Sequence, residues 1–170
     1  NARRAACDLR GADEALTTAY GFYHEGSRTT LRLAKLLDYE GSLRRDQRRF
    51  DHALVCLDRA LEIYRNSGAA PHLAGKILIK RATVYDQACQ PDRAVPLLRQ
   101  ALALIDSEIE PCLLYSAYQN LGVCLCEIER YDEAARLLPL LEDLVAESDR
   151  RMDRARLEWL RGRISSGTGD

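Results

Sequence analysis

Apolar residues recur at helical spacing along this chain, and interruptions of that recurrence cut it into helix-length segments. The interruptions fall at Asn66-Ser67-Gly68, Gln90-Pro91-Asp92 and Glu110-Pro111. They predict helix pairs at 28–46 with 49–66, 71–88 with 91–108, and 112–128 with 131–147. Pro91 and Pro111 suit first-turn positions, where a missing N–H costs nothing. Pro96 stands near enough to a helix start to be tolerated, whereas Pro139 lies deep in its segment and should kink it. Loops within each pair are short, so paired helices are antiparallel neighbours.

One motif returns in the second helix of each pair. It reads FDHALVCLDRALEIY at 50–64, PDRAVPLLRQALALI at 91–105 and YDEAARLLPLLEDLV at 131–145. Its small residue is Ala53, Ala94 and Ala134, in steps of 41 and 40. A near-constant period of this size signals stacked units in place of one globular core. A weaker copy, Gly11-Ala12-Asp13-Glu14-Ala15, makes 3–24 a degenerate or capping unit. After the third pair comes one more helix, about 150–165, whose Gly162 stands forty residues after Gly122. The expected units are 1–26, 27–68, 69–109, 110–148 and 149–170, the last a partial repeat or cap helix. That organisation suits a piece of a longer array or an array closed by a single helix.

Composition narrows the function more by exclusion than by indication. With 46% hydrophobic and 30% charged residues the chain should fold and stay soluble. Net charge is −1, so nothing global favours nucleic acid or an anionic membrane. Apolar runs fall far short of a membrane span, and no signal-peptide pattern opens the chain. The six cysteines show no CxxC pattern and are expected to be free, buried thiols; Cys124 and Cys126 diverge on a helix and cannot share a metal. His24, His52 and His72 sit in different units without metal-ligand spacing, and no phosphate loop or nucleophile elbow occurs. No enzymatic activity, cofactor or metal is therefore expected. The densest charge run, Arg44-Arg45-Asp46-Gln47-Arg48-Arg49, reads as a solvated corner between helices.

The three motifs resemble tetratricopeptide repeats. Unit one supplies Gly41, Phe50, Ala53, Leu57 and Ala60; unit two Ala82, Tyr85, Ala94, Leu98 and Ala101; unit three Leu121-Gly122, Tyr131, Ala134 and Leu138. Unit three departs with Leu141 in place of the last Ala, unit two with Pro91 in place of the aromatic, and the period is longer than the family's 34 residues. Small residues at Gly41, Ala82 and Gly122 should let the two helices of a hairpin approach closely. The resemblance implies an all-α, right-handed superhelical solenoid of antiparallel hairpins whose first helices line a concave groove. Longer units of this kind resemble those of bacterial regulatory proteins, which implies a cytoplasmic setting.

On those first helices the groove stripe is Lys35, Asp38, Tyr39 and Ser42; then Lys76, Lys80, Thr83 and Gln87; then Ser116, Gln119, Asn120, Val123 and Glu127; then Arg156, Trp159 and Arg163. Lys76, Lys80, Thr83, Gln119, Asn120, Arg156 and Trp159 are the candidate peptide-binding residues. Ammonium and guanidinium groups there suit an acidic protein or peptide segment. The expected partner is a protein or peptide, with no direct nucleic-acid or membrane contact, and with self-association through the exposed ends as a further possibility. Two other functions stay open: a ligand-sensing domain coupled to a DNA-binding or enzymatic domain outside this chain, and a self-assembly module.

Overall fold

A computed structural model describes residues 8–26, 28–146 and 150–169, and among them every regular element is helical. The elements are α1 (Leu9–Glu25), α2 (Thr30–Asp46), α3 (Phe50–Asn66), α4 (Pro71–Gln87), α5 (Pro91–Leu102), α6 (Pro111–Glu127), α7 (Tyr131–Ala135), α8 (Leu138–Ala146) and α9 (Arg151–Thr168). Neighbours in sequence pack as neighbours in space: α2 on α3, α4 on α5, and α6 on α7 and α8. Each first helix also touches the next, α2 on α4, α4 on α6 and α6 on α9, which makes the stack a solenoid. No helix is long and apolar enough to cross a membrane among the described residues.

Local chemistry sets the helix starts. Asp8 Oδ1 accepts from the Gly11 amide at 2.8 Å, and Thr29 caps α2 through Arg32 N. Pro71, Pro91 and Pro111 each open a helix in its first turn. Within each of the three pairs the first helix ends alike, on a left-handed residue that is not glycine: Arg48, Cys89 and Glu129, with φ of 59°, 57° and 59°. The amide after it returns to a carbonyl five residues back, Arg49 to Arg44, Gln90 to Tyr85 and Arg130 to Leu125, at 2.8–2.9 Å. These are Schellman closures, and they fix the tight antiparallel reversal.

Two helices end earlier than the pattern predicted. Helix α5 stops at Leu102, not 108. There Asp106 Oδ1 accepts from the amide of Glu108 at 2.9 Å, an alternative to helix that short polar side chains readily offer. Leu104 and Ile105 then turn inward over Gly75, where a Cβ would lie 3.1 Å from Ile105 Cγ1. The kink expected at Pro139 is a full break, with α7 ending at Ala135 and α8 starting at Leu138. A proline ring clashes with the carbonyl four residues back, which here is Ala135, the last residue of α7.

The main core runs between the layers. Ala53, Leu57 and Ala60, and likewise Ala94, Leu98 and Ala101, are fully buried. In the third unit Ala134 and Leu141 are fully buried, but Leu138 beside the break is only half covered. Burying each such leucine stabilises by about 1.5–3 kcal/mol. Close approach is achieved in two ways. At Gly41 an added Cβ would meet Leu57 Cγ at 2.6 Å, within its own hairpin. At Gly122 it would meet Leu160 Cδ2 at 2.7 Å, on α9 of the following layer. The expectation that Gly122 serves its own hairpin is therefore corrected: the broken second helix leaves that contact to α9.

Helix α1 stands apart from this core. Ala12, Leu16 and Leu43 form a separate small cluster with Leu9, Tyr20 and Tyr39 packed on it. Polar contacts pin it to α2: Tyr20 Oη donates to Glu40 Oε2 at 2.8 Å, and Arg44 Nη1 bonds Asp13 Oδ1 at 2.8 Å.

Candidate functional site: the face of the first helices

The aligned helices α2, α4, α6 and α9 carry most of the polar stripe read from the sequence, and their contacts with one another decide which of its residues face outward. Asp38 does not. It is 2% exposed and reaches from α2 to α4, where Lys80 Nζ bonds Oδ1 and Lys76 Nζ lies 3.4 Å from Oδ2. A buried carboxylate is costly unless it is paired. Here two ammonium groups share it, and both keep their heads near water: the Lys76 side chain remains 44% exposed. The Lys76 ammonium is thus exposed and held in place by an anchor beneath it.

Thr83 is half-buried, and its hydroxyl donates to the Ile79 carbonyl at 2.9 Å. Gln119 is buried, with its amide Nε2 donating to the Arg156 carbonyl at 3.2 Å and its Oε1 3.3 Å from the Tyr115 hydroxyl. That hydroxyl donates to the nearer Asp153 carbonyl at 2.7 Å, and burial pushes its pKa up to about 12. Gln119 therefore belongs to the joint between α6 and α9, not to the groove surface. Asn120, next to it, is half-buried. Arg156 is open, with a side chain 58% exposed and Nη1 3.8 Å from Asp153 Oδ1.

Trp159 is 52% exposed, with the Arg163 guanidinium 5.1 Å from its ring centre. Its register sets it apart from Arg156. It stands three residues before Gly162, as Gln119 stands before Gly122, Ile79 before Ala82 and Asp38 before Gly41. Those three are buried, Asp38 against α4 and Gln119 against α9. Trp159 therefore shares that register, and of the candidates the structure joins Lys76 with Lys80 at Asp38 and Gln119 with the Arg156 backbone.

A second polar group lies at the other end of the same helices. Asp86 on α4 and Glu127 on α6 act on one another electrostatically, and Cys124 Sγ is 3.6 Å from Asp86 Oδ1. Desolvation, then the charge and hydrogen bond of Asp86, raise the Glu127 carboxyl above its ordinary pKa, against the pull of Arg163, 3.8 Å away. Burial and the same two carboxylates push the Cys124 thiol strongly up. The stripe thus turns acidic at its far end. Asp86 was missed because three residues after Thr83 fits the stripe as well as Gln87 does at four.

Outside this face the expected bland roles are mostly met. His24 and His52 are exposed, and His72 is 3.9 Å from Glu110. In the arginine corner, Arg44 bonds Asp13 and Glu40, Arg45 bonds Asp46, Arg48 lies over Phe50, and Arg49 Nη2 is 2.7 Å from His52 Nδ1. Its charges are largely spent within the chain. Of the cysteines, Cys124 and Cys126 are buried and Cys56 half-buried, but Cys89 and Cys112 are exposed, correcting the expectation that all are covered; Cys7 lies outside the described residues.

Comparison with known proteins agrees with this architecture. Residues 32–107 match the tetratricopeptide repeat family. No curated protein matches the sequence. Among solved structures, the chain is similar to BtubC (BKLC) from P. vanneervenii, with a TM-score of 0.81 and 21% identity over 99% of this chain and 69% of that one. At that identity the likeness is one of fold. The match runs from α2 past the end of α5, and with the same stacking carried on through α6 to α9 the fold is a solenoid like that of tetratricopeptide repeats.

Proposed function

We propose that this chain is a non-catalytic recognition module that holds an acidic protein or peptide segment against the face of its first helices. Tetratricopeptide repeats mediate protein–protein interaction in general. The observation that carries the finer reading is the anchored lysine pair: Lys76 and Lys80 both reach the buried carboxylate of Asp38, which holds the exposed Lys76 ammonium in position. Pre-positioning of this kind lowers the ordering cost of a charge-assisted bond to a ligand carboxylate. Arg156, two layers on, adds a second open cation. Such a module would serve as the binding part of a larger cytoplasmic regulatory protein, a setting supported by the resemblance to repeats of bacterial regulators.

Panning a random peptide library on the immobilised chain tests this directly. Selected sequences should be rich in Asp and Glu. A Lys76→Glu/Arg156→Glu variant should bind them at least tenfold more weakly at low salt, while keeping its helical signal. Lys80 is left intact because it neutralises Asp38. Selection of uncharged or basic peptides, or equal binding by variant and wild type, would overturn the reading.

A further inference from the structure

One register on the first helices collects cations along this face. Six residues before Gly41, Ala82, Gly122 and Gly162 stand Lys35, Lys76, Ser116 and Arg156. Contacts at all three joints show the helices standing level with one another. Asp38 of α2 reaches Lys76 and Lys80 of α4, Cys124 of α6 lies 3.6 Å from Asp86 of α4, and Gln119 of α6 bonds the Arg156 carbonyl of α9. Each contact joins positions no more than three apart in register. Equal registers on adjacent first helices therefore lie about one interaxial distance apart, roughly 8–10 Å, and the four residues form a row across the helices. The row is open within the stack and not only at its ends: Lys76 has first helices on both sides, yet its side chain is 44% exposed. Lys35 and Arg156 are exposed. Carboxylates within a turn of the row on these helices are withdrawn from it. Asp38 and Asp153 are 2% and 6% exposed, and Glu158 lies 3.6 Å from Arg161.

We infer that the acidic segment crosses these helices as a polyproline II chain whose carboxylates are spaced to the row; this rests on the reading of the face as an acidic-segment site. A polyproline II helix has three residues per turn and rises about 3.1 Å per residue, so every third side chain returns to the same side about 9 Å further on. That step matches one first helix of the solenoid. A β-strand does not match, because its side chains three apart point to opposite faces. Polyproline II also leaves its backbone solvated, which suits a face of helices whose own amides and carbonyls are already bonded. Lys35 and Lys76, one helix apart, then take carboxylates three residues apart. Arg156, two helices beyond Lys76, takes a third carboxylate six residues further. Ser116 stands between them, its hydroxyl donating to the Cys112 carbonyl at 2.9 Å. The ligand residue above it meets no cation, so a fourth carboxylate gains nothing there. The intervals of three and six come in one order or the other according to which way the segment runs.

Fluorescence anisotropy with three labelled peptides of identical composition tests this. Each carries three glutamates in a proline- and alanine-rich background: at intervals of three then six, at six then three, or in one contiguous block. At low salt, one of the spaced peptides should bind at least about fivefold more tightly than the block, which can engage only part of the row. Lys35→Glu and Arg156→Glu should each weaken that peptide by about tenfold while keeping the helical signal, since both side chains are exposed. Each variant should be rescued by lysine in place of the glutamate at its own end of the peptide, and not by lysine at the other end. Equal binding by all three peptides, a Lys35→Glu variant that binds like wild type, or rescue from the wrong end would overturn the inference and leave the acidic-segment reading standing. Failure of all three peptides to bind would overturn it too, and the panned library then decides whether the acidic-segment reading falls with it.

Discussion

Gly41, Gly122 and Gly162 occupy one register position, and the same substitution to alanine should change stability in opposite directions at its two ends. Within a helix, alanine is favoured over glycine by about 1 kcal/mol at all three sites. What differs is the space. At Gly41 the new Cβ would lie 2.6 and 2.8 Å from Leu57 Cγ and Cδ2 and 3.2 Å from the Ala53 carbonyl. Carbon atoms prefer 3.5–4.0 Å. Leu57 is fully buried, and its Cγ cannot swing aside, so α2 and α3 must separate. Overpacking of that kind costs about 1–3 kcal/mol, which offsets or exceeds the propensity gain and leaves Gly41→Ala up to about 2 kcal/mol less stable. At Gly122 the close atom is Leu160 Cδ2 at 2.7 Å, a methyl that can turn, so the two effects nearly cancel. At Gly162 nothing lies within 4 Å, and Gly162→Ala should gain about 0.5–1 kcal/mol. For a chain of this size each kcal/mol moves Tm by roughly 2–4 °C. Thermal and urea unfolding followed by circular dichroism would order the three variants. Gly41→Ala proving as stable as Gly162→Ala would refute the idea that helix contact, not backbone propensity, governs this position.

The left-handed Glu129 is exposed and makes a further test: Glu129→Gly should stabilise by about 0.5–1 kcal/mol in urea titration, the strain relieved exceeding the entropy lost. In a Cys7→Ser background, a thiol reagent at neutral pH should modify Cys89 and Cys112 quickly, Cys56 slowly, and Cys124 and Cys126 only on unfolding; rapid loss of all five thiols would contradict the burial described. The raised Glu127 carboxyl penalises the ionised form in the fold, so its cost is present above the folded pKa and disappears as pH falls toward the unfolded value near about 4.3. Glu127→Gln should therefore raise Tm at neutral pH and by progressively less as the pH is lowered, and a Tm difference independent of pH would show that the proton linkage lies elsewhere.

The hairpins were legible because their signals are local and repeated. Ala53, Ala94 and Ala134, with prolines at 71, 91 and 111, mark the same places in successive units, so each occurrence supports the others. What escaped the sequence depended on competition or on distance. The run Ala101-Leu102-Ala103-Leu104-Ile105 has a helical pattern, and only the Asp106 turn and the docking of Ile105 over Gly75 end α5 early. Asp38 was readable as a groove residue by spacing. Nothing within its own helix shows that two lysines, 38 and 42 residues later, converge on it from α4. The face was legible, but its division into surface and joint was set by contacts between units.

That division also explains why one register position holds such different chemistry. Three residues before the small residue stand Asp38, Ile79, Gln119 and Trp159: a carboxylate, an aliphatic, an amide and an indole. The repeat backbone asks only that this side chain cross to the next layer, and the layer it meets selects its nature. Asp38 meets two ammonium groups, and Gln119 meets the Arg156 carbonyl with the Tyr115 hydroxyl beside it. A charge at the first position and a neutral donor at the second satisfy their neighbours without leaving a buried group unpaired.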